Sequence, residues 1–251
     1  MDRELREIEG GLNLQRPSIA QIAALMRVLH AYTRQAIEDH SVDVLMGFLY
    51  GHLNTTLQQL DHSPIACRMG CSFCCTSWVA ATAPEVLYVL KSVPADRIGK
   101  TRDFIAAAAQ TTAAKTPEER LTMITPCPLL ESSACSVYGN RPLVCRTAVS
   151  NDVSVCERVY VQASKEEIPG TYHHYGVKGI YSLALAGALK KAGLLSYYYE
   201  FNDALHAAAR ARDAEADWLS GKDIFSDIKR DPEGETFGDA WNRNVFEQAF
   251  P

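Results

Sequence analysis

The chain has no long apolar run. Its longest stretch without a polar side chain, Val44–Tyr50, falls far short of the ~20 residues a bilayer-spanning helix needs. No membrane partner is therefore expected. The first residues, Met-Asp-Arg-Glu-Leu-Arg-Glu-Ile-Glu-Gly, mix both charges with no apolar stretch behind them, unlike a secretory leader. The expectation is a soluble, cytoplasmic protein. There is no excess of basic residues: the formal net charge is −5, which argues against a broad nucleic-acid surface. No repeat recurs at a fixed period, no tract is of low complexity, and no segment alternates as a strand would. No glycine-rich loop follows a strand, so a Rossmann-type cofactor site is unsupported. Cysteine is absent from both flanks, before residue 67 and after residue 156.

Between those limits lie all eight cysteines. Four fall in Cys67-Arg-Met-Gly-Cys71-Ser-Phe-Cys74-Cys75, and the others are Cys127, Cys135, Cys145 and Cys156. Cysteine used for packing would be scattered singly through helices. Cysteine this dense in a loop serves its sulfur chemistry. In a reducing compartment stable disulfides are rare, so metal ligation is preferred. The hydrophobic content of 47% is ordinary, so a core can form without metal staples.

Cys71 and Cys74, two residues apart, can bite one metal ion, and Cys67 can join them. Adjacent Cys74 and Cys75 point in different directions, so Cys75 reaches a second metal or stays free. Two tetrathiolate sites, or one site plus spare thiols, both satisfy the arithmetic. Prolines beside Cys127 and in Arg141-Pro-Leu-Val-Cys145-Arg146 pre-set ligand loops. Arg141 and Arg146 bracket Cys145, where guanidinium charge would offset thiolates or bind an anionic cofactor or substrate group. His173 and His174 are lesser candidates, since histidines at helix starts are more often solvated or hydrogen-bonded.

The flanks read as helix. Ile19, Ile22, Met26 and Leu29 mark one face, and Val42, Leu45, Leu49, Leu53, Leu57 and Leu60 a second helix, capped at Ser41 and hinged near His40. Thr82-Ala-Pro-Glu85 and Thr116-Pro-Glu-Glu119 are capping boxes. Further helices are expected over about 96–112, 152–163, 171–191 and 200–219, with Gly193 and Gly221 as stops. Loop is expected over 63–81 and 125–151. The fold class is all-α or nearly so: a helical bundle with an internal cysteine-rich metal-binding loop region. Its parts are an N-terminal helical pair (1–62), the cysteine region (63–160), C-terminal helices of the same domain (161–221) and a tail (222–251). Phe225, Phe237, Trp241, Phe246 and Phe250 would hold that tail on the helices.

The order Cys-x-x-x-Cys-x-x-Cys-Cys, Cys127-Pro-Leu-Leu, then Cys135-Ser-Val-Tyr138-Gly-Asn-Arg141-Pro-Leu-Val-Cys145-Arg146 resembles the YkgJ-type cysteine-cluster family, described as zinc- or iron-chelating. Flagellin lysine N-methylases carry a similar domain. The resemblance covers about 64–156. It implies that Cys67, Cys71, Cys74, Cys75, Cys127, Cys135 and Cys145 are metal ligands, with Cys156 beyond its firmest part. Cys67-x-x-x-Cys71-x-Phe73-Cys74 is also similar to the radical S-adenosylmethionine motif, whose three cysteines hold a [4Fe-4S] cluster. Those enzymes use a barrel of strands and helices, which this sequence does not suggest. The leading expectation is a metal-binding protein, iron–sulfur (4Fe-4S) before zinc. The alternatives are an S-adenosylmethionine-dependent lysine N-methyltransferase acting on a protein substrate, and a metal carrier or redox sensor.

Overall fold

The computed structural model describes residues 2–13, 17–68, 70–230 and 240–251. Among them, twelve α-helices and four short strands follow in order. The N-terminal half holds α1 (Asp2–Ile8), α2 (Ile19–Asp39), α3 (Asp43–Leu57), β1 (Ala80–Thr82), α4 (Ala83–Lys91), α5 (Ile98–Thr112) and α6 (Pro117–Leu121). Next come β2 (Leu130–Glu131), β3 (Ala134–Cys135), α7 (Leu143–Thr147), α8 (Val153–Gln162) and α9 (Tyr172–Lys191). The chain closes with β4 (Tyr198–Glu200), α10 (Phe201–Arg210), α11 (Ala214–Leu219) and α12 (Ala240–Ala249).

The fold is nearly all-α. α2 is its axis, packing on α1, α3, α9 and α12. Ile22, Leu25, Met26 and Leu29 of α2 are fully buried, as their three- and four-residue spacing requires. At the crossing with α9, Gly187 faces Met26, and any Cβ there would overlap the thioether. A second layer sets α10 against α4 and α5. One hydrophobic core runs through both layers and includes Leu129, Val137 and Leu143 of the cysteine region.

Local chemistry explains most element ends. The capping boxes of Thr82 with Glu85 and of Thr116 with Glu119 both form. His40 ends α2 in the left-handed region at φ 52°, and Gly193 (φ 80°) and Gly221 (φ 90°) follow α9 and α11. Ser41 is not the cap of α3. The cap position is Val42, whose N–H donates to Glu215 of α11 at 2.7 Å, while Ser41 Oγ accepts from Asp43 N–H at 3.3 Å. Lys91 joins that corner, 2.9 Å from both Asp43 and Glu215.

Three further expectations are corrected. Strands do exist: β1 pairs antiparallel with β4, and β2 with β3. At two or three residues each, they are too short for alternation to be read. The helix expected over 200–219 is two, broken at 211–213 where Asp213 leaves helical geometry (φ −132°, ψ 45°). The expected loop over 125–151 contains α7, entered through Pro142. Of the tail aromatics, Phe225 is buried against Tyr199 at 5.0 Å, and Phe250 packs edge-on to His30 at 5.3 Å. Lys190 lies over Phe246, whereas Trp241 is exposed and Phe237 lies outside the described residues.

Candidate metal centre

Two loops and two helices carry the sulfurs. The first loop, after α3, ends in a 3-10 turn over Phe73–Thr76 that packs on α8. Ala66 N–H donates to Ser150 O at 2.9 Å, and Ser150 N–H donates to the Cys67 sulfur at 3.2 Å. Ser150 itself is buried, and its hydroxyl is bonded to the Asp152 backbone. Asp152 caps α8 by accepting from Ser154 N–H at 2.8 Å, which sets Cys156 in the opening turns of that helix. Ser150 also lowers the Cys156 thiol against the rise that burial causes, so one serine lies near both Cys67 and Cys156.

The result is a first set. Cys67, Cys71, Cys74 and Cys156 line one cavity of about 110 Å³. Phe73, Val144, Ile168, Tyr160 and Tyr175 complete much of its wall. A larger groove of about 920 Å³ shares Ile168 and Tyr175 with it and runs under the 163–170 segment.

Three further cysteines gather near the Cys74–Cys75 step. Cys127 N–H donates to Cys75 O at 2.7 Å. β2 and β3 form a hairpin that pairs Leu130 with Cys135, so Cys135 returns towards Cys127. Its two central residues, Ser132 and Ser133, both have positive φ (48° and 63°), the geometry of a type I′ turn. Cys145 is presented by α7. Glu85 fixes that helix: buried at the cap of α4, it accepts from Leu143 N–H at 2.7 Å and from Thr82 N–H at 2.8 Å. The charges of Cys127, Cys135 and Cys74 all act on Cys145.

Six of the thiols are pushed towards the protonated form by their surroundings. Burial pushes Cys145 well above the ordinary thiol value and Cys127 up to about 12. Burial also raises Cys67, Cys135 and Cys156. Cys74 is raised first by its hydrogen bond to the Cys75 thiol and then by burial. Such thiols become ligands when a soft cation displaces their protons, so the donor set suits zinc or iron. As the side chains stand, no three of the Cys, His, Asp or Glu groups among the described residues are close enough to grip a single ion.

The two arginines differ. Arg141 lies 3.8 Å over the Tyr138 ring, its Nε is buried without a partner, and its charge lowers Cys74, Cys135 and Cys145. Arg146 is occupied by the scaffold. It donates to Arg141 O at 2.9 Å, to Asn54 Oδ1 at 3.1 Å and to Gly139 O, and lies 3.9 Å over the Tyr50 ring. That guanidinium locks α7 to α3 and leaves little for a cofactor. His173 is exposed, and His174 is buried against Thr171 and His62. Three residues of the site carry no mark in the sequence: Ser150, Glu85 as a clamp on α7, and Lys178, which lines the first cavity from α9.

Residues 66–167, which contain all eight cysteines, match the CxxCxxCC family, described as a "Putative zinc- or iron-chelating domain". The cysteine region is thus similar to the metal-chelating cysteine-cluster type. Its first spacing is one residue longer than that signature, three residues standing between Cys67 and Cys71. No curated protein and no solved structure matches the chain. No helix among the described residues is long and apolar enough to cross a membrane.

Proposed function

We propose that this chain holds metal at two four-cysteine sites, and that iron–sulfur clusters occupy them in preference to zinc. The first site is Cys67, Cys71, Cys74 and Cys156; the second is Cys75, Cys127, Cys135 and Cys145. The observation that carries the choice of metal is the cavity of about 110 Å³ whose wall the first four cysteines share with other side chains. A tetrathiolate zinc site has Zn–S bonds of about 2.3 Å and no hollow. A single water needs only about 10–15 Å³ of such space, so this cavity has room for several atoms. When bound, a cluster would supply one-electron redox chemistry. The chain's own residues position the thiols, keep them in apolar surroundings and, through Arg141, offset part of their charge. The YkgJ-type resemblance and a reducing, cytoplasmic setting fit this reading.

Anaerobically prepared protein should be brown, with broad thiolate-to-iron absorption. A colourless preparation with stoichiometric zinc and no iron after reconstitution would overturn the choice of cluster.

A second reading, methyl transfer from S-adenosylmethionine to a protein lysine, is favoured by the groove of about 920 Å³ that meets the first cavity at Tyr175. It predicts that metal-replete protein binds S-adenosylmethionine. Calorimetry showing no binding would end it.

A further inference from the structure

Lys178 stands on α9 in the wall of the cavity lined by Cys67, Cys71, Cys74 and Cys156. It is half-buried and has no hydrogen-bond or ion-pair partner among the described residues. Other lysines are paired: Lys91 with Asp43 and Glu215, and Lys222 with Asp217. The cavity wall contains no Asp or Glu. Its remaining side chains are apolar or neutral hydroxyls, and the thiols. An ammonium is strongly hydrated and is poorly tolerated beside apolar surface unless an anion faces it. The only side chains in this wall able to supply that anion are the four cysteines. Four thiolates around a divalent ion, or around a 2+ cluster, leave a net negative site.

We infer that Lys178 is a built-in charge partner of the first metal site, a positioning residue that stabilises the thiolate assembly from the α9 side, as Arg141 does beside Cys74, Cys135 and Cys145. The inference rests on reading these four cysteines as a metal site, but not on whether the metal is iron or zinc.

The test uses the full, metal-loaded chain and its Lys178→Met, Lys178→Arg and Lys165→Gln variants. Lys165 is exposed in the adjoining groove and serves as the charge control. Metal loss to a chelator and, for iron, the reduction potential are measured. Lys178→Met should release part of its metal on the order of tenfold faster, the usual effect of removing an outer-shell partner. Its potential should fall, because lost positive charge disfavours an added electron. Lys178→Arg should behave as wild type, and so should Lys165→Gln. Metal-loaded wild type with an indifferent Lys178→Met variant overturns the charge-partner role alone. A wild-type chain that takes up no metal overturns the underlying site reading as well.

Discussion

Glu200 ends β4 and caps α10, accepting from Asp203 N–H at 2.7 Å, and is only 2% exposed. Burial pushes its carboxyl from 4.5 up to about 7; Asp203 charge adds to this, while the Asp203 N–H and the Arg120 charge oppose it without prevailing. A raised folded value means that the folded chain binds this proton more tightly than the unfolded chain. Stability from this group is therefore complete below about pH 4.5 and is lost as pH rises towards 7. The difference between 4.5 and about 7, at 1.36 kcal/mol per pH unit, is about 3 kcal/mol. Glu200→Gln keeps an acceptor for Asp203 N–H and carries no charge. It should exceed wild type by about 1 kcal/mol at pH 5 and by about 3 kcal/mol at pH 8. Urea unfolding of both proteins at the two pH values, each metal-loaded, measures this, and the metal contribution cancels in the comparison. A difference independent of pH, or a variant less stable at pH 8, would refute the reasoning.

Two further predictions concern the scaffold. Glu85→Ala strips partners from the buried N–H groups of Thr82 and Leu143 and should cost roughly 2–6 kcal/mol in a thermal melt, at about 1–3 kcal/mol per orphaned group. It should also quicken labelling of Cys145, whose helix Glu85 clamps. Gly187→Ala drives a methyl into the Met26 thioether at the α2–α9 crossing and should cost about 1–3 kcal/mol; adding Met26→Ala should give a combined loss smaller than the sum of the single losses.

The helices were legible because their signals are local. The burial of Ile22, Met26 and Leu29, and the two capping boxes, follow from residues three or four apart. The hairpin that returns Cys135 was not legible: Ser132-Ser133 takes positive φ without the Asn-Gly or Asp-Gly that usually marks such a turn. The break at 211–213 was hidden because Ala211 continues a good helix-forming run. All eight cysteines were legible as a cluster, but their division was not. The division proposed here rests on one distant backbone pairing, Ala66 with Ser150, on the side of Cys67 and Cys156, and on another, Cys127 with Cys75. Arg146 read as a charge beside Cys145, yet Asn54 and Gly139, distant or across a turn, claim its donors. Lys178 sits in a stretch of α9 that carries no distinguishing pattern, and only the fold, which sets it in the wall of the first cavity, makes it part of the site.

The division of the cysteines is the central claim, and metal content of single-cysteine variants tests it most directly. Cys156→Ser and Cys135→Ser should each retain about half of the wild-type metal, since each disables one four-ligand site, and the double variant should retain almost none. Cys156→Ser with full metal content, or either single variant with none, would contradict two separate sites.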